Sequence, residues 1–284
     1  MEIKKVCVVG AGAMGSQIAL NTAINGYDVY VTDSFEPTLE KASSWASDYL
    51  AKRVKKGKLT QEDADKAHER YHVVKTLQEA AENADLVIEA IIEDVDVKRQ
   101  LFENLNKIVG KDTILATNSS YIPSSRFADI VDNPSRLCNL HYFNPALVMK
   151  LTEVVQGEHT SDDTITTLID FSRKTGKEPI WVHKEIEGFI ANRLLDAISF
   201  EAFRLAEQGI ATPQDIDKAS ELGLGHPMGP FRTTDFAGID ISYLANKRTF
   251  EETGVKVPGY DLIEKMYKAN MLGPKTKKGF YDYE

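Results

Sequence analysis

A doubly wound parallel α/β sheet followed by an all-helical domain is the fold class that three observations predict. Short apolar runs alternate with amphipathic stretches over the first two thirds of the chain, a glycine-rich turn joins the first run to the first helix, and strand signals stop after Glu187. Val6–Val9, Val29–Asp33, Leu86–Ile92, Thr113–Ala116, Leu137–Phe143, Leu151–Val155 and Pro179–Val182 read as strands. Several are continuously apolar, as strands are when both faces of a parallel sheet are covered. Amphipathic stretches between them imply βαβ units. From about residue 37 to 67 the chain is charged and helical in pattern, which predicts a helical hairpin inserted in the sheet domain. Its second helix starts at Thr60, with Asp63 three residues on. Beyond Glu187, Gly188–Glu207, Thr212–Leu222 and Tyr260–Met271 read as helices, and Thr233–Glu252 as helix broken near Gly238. Thr212-Pro213 supplies an N-cap and a proline at the first helical position. The predicted domains are residues 1–185 and 186–284.

Composition narrows the class of protein. The 284 residues suit two domains. A net charge of -9 and a pI near 5.3 argue against nucleic acid as a partner. No run of about 18 apolar residues predicts a membrane span. Met1-Glu2-Ile3-Lys4-Lys5 lacks the apolar core of a secretory signal. Cys7 and Cys138 lie inside apolar runs and give no metal spacing or disulfide framework. They read as small core residues of a cytoplasmic protein. No metal site is expected.

Gly10-Ala11-Gly12-Ala13-Met14-Gly15 follows a strand and opens a helix. Gly10 allows the tight turn, Gly12 lets the backbone approach a pyrophosphate, and Gly15 lets helix and strand pack closely. The amides at the helix start, at Ala13 and Met14, are placed to hold phosphate. The second strand ends in Asp33, 18 residues after Gly15, where a carboxylate can accept both ribose hydroxyls. Asp33 would repel a 2′-phosphate and no arginine follows closely, so the expected cofactor is NAD rather than NADP. A plain strand-end turn is the other role open to Asp33.

His141 stands near the end of the run from Leu137, where strand carboxyl ends line the ligand crevice of an open α/β sheet. A histidine there can exchange a proton near neutral pH. Glu153 lies among apolar residues of the next strand, where a lone carboxylate is costly unless paired. Pairing with His141 would satisfy it and fix the imidazole tautomer; a purely structural His141 is the alternative. Asn118-Ser119-Ser120 follows another strand and offers polar groups at the same edge, or an N-cap for a helix over Ile122–Val131. Asn192, early in the helix from Gly188, either reaches the cleft or is a solvated amide.

Together, Gly10–Gly15, Asn118–Ser120, His141–Pro145 with Glu153, Gly188–Leu194, His226-Pro227-Met228-Gly229-Pro230 and the ending Gly279-Phe280-Tyr281 resemble the L-3-hydroxyacyl-CoA dehydrogenase family, nearly end to end. The resemblance implies a Rossmann-like NAD-binding domain and a helical domain that pairs two subunits into a homodimer; Ala197–Leu205 and Thr234–Leu244 are apolar enough for that role or for a monomer's own core. It implies that His141 is the acid/base and Glu153 its orienting partner, that Ser120 and Asn192 hold the reacting oxygen, and that Glu93, Lys98, Asn144 and Lys275 contact the cofactor. Two positions depart from the family pattern: Ser119 replaces a threonine and Tyr121 a second serine.

The substrate so implied is an acyl-CoA of the 3-hydroxybutyryl-CoA kind. The rival readings are a related dehydrogenase of a free hydroxy acid or carnitine-like substrate, and a non-catalytic NAD-binding protein. Lys52, Arg53, Lys55, Lys56 and Lys58 form a basic cluster with no acid between Tyr49 and Gln61. Either it is a helix end whose cations favour the C-terminal dipole, or it binds the CoA phosphates, with Lys56 and Arg53 as candidate contacts.

Overall fold

The structure, a computed structural model, describes residues 1–284. Eight strands form one sheet: β1 (Lys5–Val9), β2 (Asp28–Thr32), β3 (Tyr71–Val73), β4 (Leu86–Glu89), β5 (Ile114–Thr117), β6 (Leu137–Tyr142), β7 (Leu151–Val155) and β8 (Glu178–Val182). Their order is β3-β2-β1-β4-β5-β6-β7-β8, so the chain winds outward in both directions from β1 and β4. Pairing is parallel throughout, except that β7 runs antiparallel to β6. Side chains alternate between two cores. Val6, Val8, Leu86 and Ile88 face one with α1 (Ala13–Ile24), while Cys7, Val9 and Val87 face the other with α5 (Val95–Ile108). Both faces are therefore dry, and the central strands have no polar side to show.

The inserted hairpin consists of α2 (Glu36–Lys55) and α3 (Gln61–Glu69), which pack on each other. Gly57, at φ +62, ends the first turn of the connection, and Thr60 Oγ1 accepts the Asp63 amide at the start of α3. The remaining helices of this part are α4 (Leu77–Ala81) and α6 (Asp162–Lys174).

The chain divides into two units, Met1–Phe189 and Ile190–Glu284. The second unit is all helical: α7 (Ala191–Glu207), α8 (Pro213–Gly223), α9 (Pro230–Ala237), α10 (Ile239–Thr253) and α11 (Tyr260–Lys268). Phe203, Phe231, Ile239, Ile263 and Met266 form its core. Two buried aspartates organise it. Asp217 accepts the Phe231 and Arg232 amides at the start of α9 and the Tyr281 hydroxyl. Asp235 accepts the Phe280 and Tyr281 amides and the Tyr283 hydroxyl, which clamps the C-terminal segment. Gly229 and Gly279 lie so close to these carboxyl groups that a Cβ at either would overlap them. No helix is long and apolar enough to cross a membrane.

One element was not anticipated and three local expectations are corrected. β3 is an edge strand of three residues, too short for a period-two pattern to register. The run read as Leu86–Ile92 ends at Glu89, because the Ile91 amide turns back to the Glu89 carboxylate at 2.8 Å. The helix read over Ile122–Val131 is a 3-10 helix, Ser124–Ile130. The Ser124 amide goes to Asn139 Oδ1 and the Arg126 amide closes on the Pro123 carbonyl only three residues back, the 3-10 pattern. Finally, the helix read from Gly188 starts at Ala191, since Gly188 (φ +73) and Phe189 (φ +47) are left-handed.

Candidate active site

The glycine-rich turn is held by what its residues lack. Gly10 has φ +104, and a Cβ there would lie 2.5 Å from the Ala90 carbonyl oxygen beyond β4. A Cβ on Gly15 would lie 1.8 Å from the Gly10 oxygen, so only glycine lets α1 sit this close to the turn. Gly12 meets nothing within 4 Å and faces open space. It is the N-cap of α1 and makes no side-chain cap, which leaves amides at the helix start available to an anion. Asp33, just beyond β2, accepts the Ala11 amide at 2.8 Å and the Phe35 amide at 2.9 Å. It thus ties the turn to the strand edge, and each carboxylate oxygen keeps further acceptor capacity. The turn role and the ligand role weighed for Asp33 are compatible.

A cleft of about 670 Å³ opens here. Gly12, Ala13, Met14 and Asp33 form one wall, and Glu93, Lys98 and Asn118–Ser120 the other. These residues fit NAD: an uncapped helix start for a pyrophosphate, a cradle that a side chain at Gly12 would fill, and a carboxylate at the second strand. Lys98 reaches the cleft wall as a buried cation, 2.5 Å from Glu89 and 3.3 Å from Glu93.

Beyond the cleft lies a buried histidine–carboxylate pair. His141 and Glu153 are directly opposite each other in the antiparallel β6–β7 register and point to the same face. His141 Nδ1 and Glu153 Oε2 are 2.8 Å apart, and both residues are buried. An ionised carboxylate only accepts, so Nδ1 carries hydrogen and Nε2 of the neutral ring is left as acceptor. Ser120 Oγ stands 3.0 Å from that Nε2. Phe143 and Phe189 flank the imidazole at 4.5 and 5.6 Å between ring centroids.

Other candidates are placed differently. Asn118 Oδ1 accepts the Tyr142 amide and pins the end of β6. Ser119 Oγ donates to Glu93 in a short hydrogen bond and accepts the Ile122 amide, so its hydroxyl is committed where that of Ser120 faces the imidazole. Asn144 is exposed just after β6. Asn192 lies in the first turn of α7 and Lys275 pairs with Asp240; both belong to the second unit. Arg53 and Lys56 sit at the C-terminal end of α2. Thr38 at the other end lines the cleft, about 22 Å away along the helix at the usual rise per residue. Two residues that the sequence reading passed over, Glu89 and Asn139, are fully buried polar groups in strands. Asn139 holds the Ser119 and Ile122 carbonyls and the Ser124 amide.

Models of two domains match the chain: the NAD-binding domain of 3-hydroxyacyl-CoA dehydrogenase over residues 5–186, and the C-terminal domain of the same enzyme over 188–283. The chain belongs to the 3-hydroxyacyl-CoA dehydrogenase family. A probable 3-hydroxybutyryl-CoA dehydrogenase of Bacillus subtilis is 38% identical over 100% of this chain and 99% of its own. The solved (S)-3-hydroxybutyryl-CoA dehydrogenase of Ralstonia eutropha is 34% identical, with TM-score 0.90 and full coverage of both chains. A solved diketoreductase described as acting on dicarbonyl compounds is 31% identical, with TM-score 0.89 and full coverage of both. As a 3-hydroxyacyl-CoA dehydrogenase family member, the chain uses NAD and is an oxidoreductase of hydroxyacyl-CoA and oxoacyl-CoA thioesters.

Proposed function

We propose that the protein interconverts short-chain L-3-hydroxyacyl-CoA and 3-oxoacyl-CoA, with 3-hydroxybutyryl-CoA and acetoacetyl-CoA as the preferred pair. The observation that carries the chemistry is the line Ser120–His141–Glu153, with contacts of 3.0 and 2.8 Å. Bound in the cleft, NAD supplies the hydride acceptor or donor. The chain's own residues handle the proton and the position of the substrate. With Glu153 holding Nδ1–H, His141 Nε2 takes the proton of the 3-hydroxyl, and in reduction the imidazolium returns it to the carbonyl oxygen. Glu153 stabilises that imidazolium. Ser120, hydrogen-bonded to the same Nε2, fixes where the substrate oxygen sits, an electrostatic and positional role shared with Asn192. Gly12, Ala13, Met14, Asp33, Glu93 and Lys98 hold the cofactor, with Asn144 and Lys275 as further contacts.

The basic end of α2, with Arg53 and Lys56, serves the CoA phosphates; the local run of cations there, in a chain of net charge -9, supports this reading. Apolar side chains exposed on α7 (Leu194, Leu195, Ile198) and α10 (Ile241, Leu244) support a homodimer through the helical unit. Two buried free cysteines accord with a cytoplasmic protein. The likeness to a diketoreductase keeps a second reading open, a substrate without CoA. One comparison separates the two: NADH oxidation with acetoacetyl-CoA against free acetoacetate. Strong preference for the thioester supports the first reading, and equal or better turnover of the free acid overturns it.

A further inference from the structure

Glu89 closes β4 and is fully buried, yet the chemistry above makes no use of it. Its Oε1 accepts the Lys98 ammonium at 2.5 Å and the Ile91 amide at 2.8 Å, and its Oε2 accepts the Thr117 hydroxyl at 2.6 Å. Two routes run from it to one residue. Lys98 continues to Glu93 Oε2 at 3.3 Å, and Glu93 Oε1 takes the Ser119 hydroxyl. Thr117 Oγ1, having given its own hydrogen to Glu89, accepts the Ser119 amide at 3.1 Å. Both the main chain and the side chain of Ser119 are therefore held by groups that Glu89 orients. The next residue is Ser120, whose hydroxyl meets His141.

We propose that Glu89 is a positioning residue for Ser120: it anchors Lys98 and Thr117, and through them sets the Ser119–Ser120 turn against His141. The proposal rests on the reading that Ser120 positions the substrate oxygen. A buried ionic cluster is a poor way to gain stability, since well-packed apolar side chains often do as well or better. Its value lies in direction. A carboxylate accepts at both oxygens, which obliges Thr117 to donate and leaves the Thr117 lone pairs for the Ser119 amide. A glutamine at this position cannot reproduce that. With its amide nitrogen toward Thr117, the threonine hydrogen loses its acceptor; with the amide reversed, it faces the Lys98 and Ile91 donors.

The test is a double-mutant cycle on kcat for acetoacetyl-CoA with saturating NADH, using Glu89→Gln, Ser120→Ala and the pair. If Glu89 acts through Ser120, Glu89→Gln lowers kcat about tenfold in the parent and less than about twofold in the Ser120→Ala background. Equal losses on the two backgrounds, or no loss in the parent, overturn the proposal. A purely structural role predicts the equal losses. A Ser120→Ala variant with parental kcat overturns the reading of Ser120 itself, and the positioning role with it. If Glu89→Gln does not fold by its melting transition, Thr117→Val cuts the shorter route and enters the same cycle with the same supporting and overturning results.

Discussion

His141 is polarised between a carboxylate and a hydroxyl, and that arrangement makes the first expectation specific. Loss of a general acid/base typically costs about 10²–10⁴-fold in rate. His141→Ala should lower kcat by that order while NADH binding, followed by fluorescence titration, stays near the parental value. Adding Glu153→Gln should cost little more, because groups that act as a unit are not additive; a double mutant showing the product of both losses would break up the pair. Lys98 offers a stability test. Removing one partner of a buried ion pair typically costs about 3–5 kcal/mol, so Lys98→Met should lower the unfolding midpoint well beyond an exposed substitution such as Lys66→Met. Parity between the two in denaturant titration would mean the Glu89 charge is solvated or neutralised. These residues were unequally legible in the sequence. Glu153 was found because a carboxylate inside an apolar strand needs a partner. Glu89 meets the same criterion at the end of Leu86-Val87-Ile88, but a strand-end acid is also an ordinary turn residue, and its partners come from an α5 lysine and a β5 threonine that no local pattern links. The Ser119 and Ser120 hydroxyls were separable only through the family resemblance; their partners distinguish them directly.

At the scale of elements, the proposed function gives the α1 turn and the α2 end different kinds of binding. The proposed function assigns cofactor choice to Asp33 at the β2 edge, where a carboxylate would oppose a 2′-phosphate. The parent should prefer NADH, and Asp33→Ser should relax that preference in kcat/KM with NADPH; a parent that prefers NADPH would refute the assignment. The C-terminal end of α2 should act on substrate affinity alone. Lys56→Ala, and more so Lys55→Ala with Lys56→Ala, is expected to raise KM for acetoacetyl-CoA at low salt and leave kcat little changed, because a remote phosphate contact is equal in ground and transition states. An unchanged KM would leave these cations as dipole partners of the helix end. Elements were legible where their period was sustained. The long helices, the central strands, the Thr60 cap, borne out at 3.0 Å from Thr60 Oγ1 to the Asp63 amide, and the Thr212-Pro213 start all followed from local chemistry. β3 and the 3-10 helix were not, since one is three residues long and the other is shaped by Asn139 from a distant strand.

For the whole molecule, pH should act through His159, packed with Ser124 Oγ at 3.2 Å beside Glu185. Burial holds its imidazole below the usual value, and the Glu185 charge only partly offsets this. The unfolded chain, titrating near pH 6.5, then binds this proton first. Stability from this group is present above about pH 6.5 and is lost as pH falls through the window down to the lowered folded value. The melting temperature should therefore drop on acidification, and His159→Gln should flatten that drop; an equally steep profile in the variant would assign it elsewhere. The antiparallel turn of the sheet has a consequence for tolerance to length change. Because His141 and Glu153 face each other across a hydrogen-bonded ladder, their geometry is inherited from main-chain register and not from the residues 143–150 that connect the strands. Insertions at its exposed end, between Val148 and Met149, leave that register and the His141–Glu153 contact intact. A single deletion within Leu151–Val155 would instead swing the glutamate to the other face of the sheet. The histidine–glutamate pair is thus a fixed frame, and an insertion scan should show activity surviving at the exposed end of the connection, between Val148 and Met149, and vanishing, at one residue's shift, inside the strand.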